Sequence, residues 1–191
     1  GIAMAILTRP IRRSDVVLGK WLGLVALIAV YAAIATGLEF VISGWLLNYV
    51  PPDPVLVIFF LVAEAVVVLT LALAFSTRVP GMTGGIVSLV VFGIAWMAGI
   101  AGAVGAALHS HTIQNVGTIM SLVLPTDGLW RAAIYHLEPV AVIATESGSR
   151  EASANPFFVA QPPTAAYLAW AGLWILAALV VGVWSFNRRD L

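Results

Sequence analysis

The chain has 191 residues, of which 61% are hydrophobic and 9% charged, with mean hydropathy +1.03. A soluble domain carries about 25% charged residues, and a chain this poor in charge cannot coat a globule in water, so lipid is its main solvent. Nine Lys and Arg balance nine Asp and Glu, which argues against a nucleic-acid partner. With no cysteine in the sequence, disulfides, thiolate metal sites and cysteine nucleophiles are excluded.

The chain opens Gly1-Ile2-Ala3-Met4-Ala5-Ile6-Leu7, which is apolar but too short to span a bilayer. No basic region precedes it, so it does not read as a signal peptide, and further sequence is expected upstream of Gly1. The next residues run Leu7-Thr8-Arg9-Pro10-Ile11-Arg12-Arg13-Ser14-Asp15, then Val16-Val17-Leu18-Gly19-Lys20. Ser14 and Asp15 ahead of an apolar run read as a helix start, with Ser14 placed to cap orphan backbone donors. Arg9, Arg12 and Arg13 set three cations before it, and Pro10 fixes the backbone between them. On physical grounds alone, such cations set topology and bind anionic lipid head groups.

Four apolar stretches follow that reach the roughly 20 residues a bilayer requires: 21–47, 55–75, 82–108 and 165–186. The fold class expected is therefore an all-α integral membrane protein with four spanning helices. Pro51-Pro52-Asp53-Pro54 stops the first and starts the second, because proline cannot continue a helix but fits its first turn. Ser76-Thr77-Arg78-Val79-Pro80-Gly81 is a short turn of the kind that joins antiparallel neighbours.

Two acidic residues interrupt these stretches. Glu64 lies near the middle of the second span and Glu39 towards the far end of the first. A charge at the bilayer centre costs roughly 2.5–3.5 kcal/mol on insertion scales, and each Leu or Val returns only about 0.3–0.6. Both carboxylates are candidates for a substrate path or a subunit interface. The alternative is a neutral Glu hydrogen-bonded between helices, and for Glu39 a side chain that reaches interfacial water. The third span carries Gly93, Gly99, Gly102 and Gly105, which permit close helix approach or supply gating flexibility.

Residues 109–164 form an external segment. Val116 to Leu137 mixes apolar residues with Asp127, Arg131 and His136, and Pro125 and Gly128 interrupt it. It reads as two short amphipathic or re-entrant helices, not a fifth span. Glu146 to Pro156 reads as a solvated loop. His109-Ser110-His111 points its two rings to different faces of a helix, so no metal site is expected. Arg9, Arg12, Arg13, Lys20, Arg78, Arg188 and Arg189 fall on one side of a four-span chain, and Arg131 and Arg150 on the other. The positive-inside rule puts both ends in the cytoplasm of a cell-membrane protein. Neither a phosphate-cradling Walker loop, nor a His-Glu-x-x-His zinc motif, nor a Gly-x-Ser-x-Gly nucleophile elbow occurs, so no catalytic residue and no cofactor is expected.

The run Leu7-Thr8-Arg9-Pro10-Ile11-Arg12-Arg13-Ser14-Asp15-Val16-Val17-Leu18-Gly19-Lys20-Trp21 resembles the cytoplasmic signature of the type-2 ABC-transporter permease family. Leu124-Pro125-Thr126-Asp127-Gly128-Leu129-Trp130 is similar to that family's external amphipathic region, and Trp184 to Leu191 to its basic C-terminal tail. The resemblance implies a permease subunit of an ATP-driven exporter, paired with a second permease subunit and a separate cytoplasmic ATP-binding subunit. It makes residues 1–20 a coupling segment, with Arg9, Pro10, Arg12, Arg13, Ser14 and Asp15 docking on the ATPase and Gly19-Lys20 hinging into the helix. Residues 21–191 become the transmembrane domain. Family members have six spans, so the first two are expected upstream. The rival readings are an intramembrane enzyme using Glu64 and the external histidines, and a structural membrane anchor.

Overall fold

The computed structural model describes residues 12–149, 155 and 157–188. Arg9, Pro10, Arg150 and Arg189 lie outside the described residues. The elements, in order, are α1 (Arg13–Leu47), α2 (Pro54–Ser76), α3 (Gly81–Ala107), α4 (His111–Val123), α5 (Thr126–Leu137), α6 (Val140–Glu146) and α7 (Ala165–Asn187). Four of them, α1, α2, α3 and α7, are long and apolar enough to cross a membrane.

α1 is 35 residues long, about 52 Å at 1.5 Å per residue, well beyond a hydrocarbon core of roughly 30 Å. It corrects two local expectations. Arg12, not Ser14, occupies the N-cap position, no side chain caps the helix, and the Ser14 hydroxyl instead donates to Asp15 Oδ1 at 3.2 Å. The first turn is closed by the Asp15 N–H on the Arg12 carbonyl, with Asp15 placed favourably against the helix dipole. The hinge expected at Gly19–Lys20 is absent, since α1 runs unbroken through both residues.

Asn48, at φ 50°, ends α1 in the left-handed conformation, and Pro54 opens α2. α2 is the central helix, in contact with α1, α3, α5 and α7. Trp21 Nε1 donates to Thr70 Oγ1 at 2.9 Å, and that hydroxyl donates onward to the Val66 carbonyl, fastening α1 to α2. At the basic end, Arg78 in the α2–α3 turn donates to Ser185 Oγ of α7 at 2.9 Å, and Arg188 lies 4.1 Å over the Trp184 ring.

α3 and α4 form the closest helix pair. A Cβ on Gly117 would come within 2.6 Å of Gly102 Cα, so the backbones touch. Gly99, Gly102 and Gly105 serve close packing, whereas Gly93 faces open space. α4 and α5 are the two short helices expected in the external segment, but the break lies at Leu124–Pro125 alone. Gly128 sits inside α5, where a side chain would run into the Tyr167 ring. The segment is also not peripheral. Leu124 to Leu129 is buried without interruption. Leu124, Leu129, Ala132 and Ala133 join Val57, Phe60, Val67, Ala95 and Ala171 as the hydrophobic core.

Candidate functional site

Glu64 opens onto a groove of about 730 Å³ between α1, α2 and α3. Its walls are apolar: Ile28 from α1, Val68 and Leu69 from α2, Phe92 and Trp96 from α3, with Trp130 of α5 at one end. Among the described residues, Glu64 is its only charged lining residue and no histidine lines it. Such a groove accepts a lipophilic molecule and offers one carboxylate to orient it. The intramembrane-enzyme reading requires a histidine beside Glu64, and none lines this groove.

Beyond Trp130 the chemistry changes. Arg131 Nε donates to Asp127 Oδ2 at 2.9 Å, one turn away on α5, and its NH2 group donates to the Gly99 carbonyl of α3 at 3.2 Å. Asp127 is 9% exposed, and only a glycine at 99 leaves room for its carboxylate against α3. Three cavities of about 180, 340 and 260 Å³ meet at Arg131, lined by polar groups such as Gln114, Ser121, Asn155 and Gln161.

The end of α4 is fixed by α7. A helix leaves its last four carbonyls without intrahelical donors. Here the Leu124 N–H takes the Met120 carbonyl, Tyr167 Oη donates to Ser121, Trp170 Nε1 to Leu122, and Trp174 Nε1 to Val123. All four are satisfied. Tyr167, Trp170 and Trp174 stand at the i, i+3, i+7 spacing of one helix face, so α7 presents its three donors as a single stripe. Tyr167 Oη also accepts from the Gly128 N–H, tying α5 to the same helix.

At the end of the molecule away from Arg78, Asp53 Oδ2 lies 2.9 Å from His136 Nδ1, and the His136 ring stacks on Phe60. Tyr49 Oη donates to the Leu137 carbonyl. Burial pushes the Glu138 carboxyl up from its ordinary pKa, and a hydrogen bond with the Val159 backbone pulls it part of the way back. Burial and then the Glu138 charge push the Tyr49 phenol up.

The structure separates the residues singled out from sequence. Arg12 and Asp15 are exposed at the basic end and Ser14 is half-buried. Glu39 is exposed on α1 and does not line the groove that contains Glu64. Asp127, Arg131, Trp130 and the α7 stripe were not candidates from sequence, although the i, i+4 spacing of Asp127 and Arg131 and the 167–170–174 spacing were both readable. His109 and His111 are exposed.

A family model described as ABC-2 family transporter protein matches residues 4–191. No curated protein and no solved structure matches the chain. The chain belongs to the ABC-2 transporter family: it is a multi-pass membrane permease of an ABC transporter, a transport component that is not itself catalytic.

Proposed function

We propose that this ABC-2 permease exports a lipophilic molecule across the cell membrane, using the Glu64 groove as its cargo path. The observation that carries the reading is the groove itself: about 730 Å³ of apolar space with a single carboxylate, open between α1, α2 and α3 of a transporter subunit. Family members generally pair with an ATP-binding subunit and act as dimers, and we assign this chain the same partners, with hydrolysis on the ATPase.

The energy enters at residues 1–20, the coupling domain, with Arg9, Pro10, Arg12, Arg13, Ser14 and Asp15 as the docking surface and 21–191 as the transmembrane domain. The continuity of α1 supports this. A helix with no break between Arg13 and Leu47 carries a push at its basic end along its full length, where a floppy tail could pair with a partner but not push. Both chain ends are cytoplasmic, with α4, α5 and α6 outward. Arg12, Arg13, Lys20, Arg78 and Arg188 stand against Arg131 among the described cations of this arrangement. Glu39, exposed on α1 within a spanning helix, faces a subunit interface, because an intramembrane carboxylate without a partner is costly.

The test is Glu64→Gln in vesicles containing both the permease and its ATPase. Gln keeps the hydrogen-bonding capacity and loses the ionisation, so transport should fall at least tenfold while insertion and ATPase association hold. Unchanged transport would leave Glu64 a helix-to-helix hydrogen-bonding group and remove the cargo path.

A further inference from the structure

We propose that α5 is the outward gate of the Glu64 groove and that Arg131 is the pin holding it shut. The inference rests on reading that groove as the cargo path. The positions along α3 carry the argument. Gly85, Ser88, Leu89, Phe92 and Trp96 line the groove, and the next turn changes allegiance, with Gly99, Gly102 and Ala103 lining the polar cavities beyond. α5 makes the same division around its circumference: Trp130 faces the groove, while Asp127 and Arg131 face the outer cavities. α5 is therefore the wall between an apolar compartment and a polar one.

The wall is attached to α3 at the point where the lining changes. Arg131 bonds the Gly99 carbonyl at 3.2 Å, and the Asp127 carboxylate that holds Arg131 in place fits against Gly99 because no side chain is there. To α7 it is attached through the Gly128 N–H on Tyr167 Oη. These are directional contacts that a helix shift of about 1–2 Å releases together, and packed helices switch by displacements of that size. Once they release, the outer cavities become continuous with the groove past Trp130, and water reaches Glu64 from outside. In the closed arrangement the same polar groups satisfy one another, so the gate buries no unpaired charge.

The experiment uses the absence of native cysteine. Ala65, beside Glu64 in the groove, is replaced by cysteine in the full chain with its ATPase in intact cells, and an impermeant cationic methanethiosulfonate is added outside. Ser149→Cys reports outward access, and Leu179→Cys, buried on α7 away from α5, reports general loosening of the bundle. Two changes open the gate by different routes. Asp127→Asn with Arg131→Gln removes the ion pair together, and Gly99→Ala wedges α5 from α3. Each should accelerate labelling of Ala65→Cys at least tenfold and leave Leu179→Cys unlabelled. Unchanged labelling of Ala65→Cys in both variants, equal labelling of Ala65→Cys and Ser149→Cys before any opening change, or a parallel rise at Leu179→Cys overturns the gate. If the variants expose Ala65→Cys while Glu64→Gln transports normally, the gate stands and the cargo path falls. If Glu64→Gln abolishes transport while labelling never moves, the gate alone falls.

Discussion

α1 and the α4–α5 pair invert the rule that soluble proteins obey. α1 is strongly apolar, yet only 6% of its most apolar stretch is buried, against 33% for α2; Leu22, Leu27, Tyr31, Ile34 and Val41 all face outward. The α4–α5 pair carries Asp127, Arg131 and His136, and its link Leu124–Leu129 is the longest uninterrupted buried run among the described residues. Lipid dissolves leucine as well as another helix does, so apolar surface has no need to hide. Backbone and charged groups do, since nothing in the hydrocarbon can hydrogen-bond them. Between these two regions burial goes with polarity, while the core that joins them is apolar, built on Val57, Phe60, Val67 and Ala95 with Leu124 and Leu129.

That contrast sets the order of mutational effects. The largest belongs to Arg131→Ala, which strands the Asp127 carboxylate at 9% exposure. Breaking one side of such a pair costs about 2–4 kcal/mol, after discounting for the partial exposure of Arg131. The paired change Asp127→Asn with Arg131→Gln should cost much less. Unfolding in detergent, followed by loss of near-ultraviolet signal, measures both, and equal losses would mean that the charges do not act as a pair. Next comes the α7 stripe. Trp170→Phe with Trp174→Phe removes the donors to the Leu122 and Val123 carbonyls; at about 0.6 kcal/mol per bond in a membrane protein, the double variant loses about 1–2 kcal/mol. Faster amide exchange at the end of α4 in that variant would locate the damage there.

A smaller effect depends on pH. Burial raises the pKa of Glu138. Between the ordinary carboxylate pKa and the raised one, the folded chain holds a proton that the unfolded chain releases, so stability falls as pH rises through that window. Glu138→Gln removes the titration, and its melting temperature should exceed that of the unchanged protein at neutral pH and approach it in acid. A pH-independent difference would show that the charge of Glu138 plays no part. Smallest of all is Leu27→Ala on the bare face of α1: within about 0.5 kcal/mol for the isolated chain. A large loss would show that α1 is packed against something and would break the comparison.

How much of this was legible follows the same division. The spans could be read because hydropathy reports contact with lipid, and Pro54 and the Ser76–Gly81 turn marked their joints. The start of α1 departs from its sequence pattern: Ser14 and Asp15 form a familiar helix-start pair, whereas the helix begins at Arg13 without a side-chain cap. Gly128 looked like a breaker and is a packing residue beneath Tyr167. The buried network was out of reach because its bonds join residues far apart in sequence, Gly99 with Arg131 and Leu122 with Trp170. Hydropathy averages over neighbours and cannot register such pairs. Spacing held the clue, in the i, i+4 step from Asp127 to Arg131 and the aromatic stripe of α7, but spacing names a helix face and not the partner it meets.

The central claim is that this permease is driven from its basic end through α1. The most direct measurement is ATP-dependent transport, with co-purification of the ATPase, in Arg12→Ala with Arg13→Ala. Arg9, Lys20, Arg78, Arg188 and Arg189 remain to hold the orientation, so cysteines at Ser14 and Ser149 should still label from opposite sides of the membrane. With insertion and orientation intact, ATPase recovery and transport should each fall at least tenfold. Recovery and transport equal to the unchanged protein, once expression is matched, would mean that these arginines only anchor the membrane and would contradict the account.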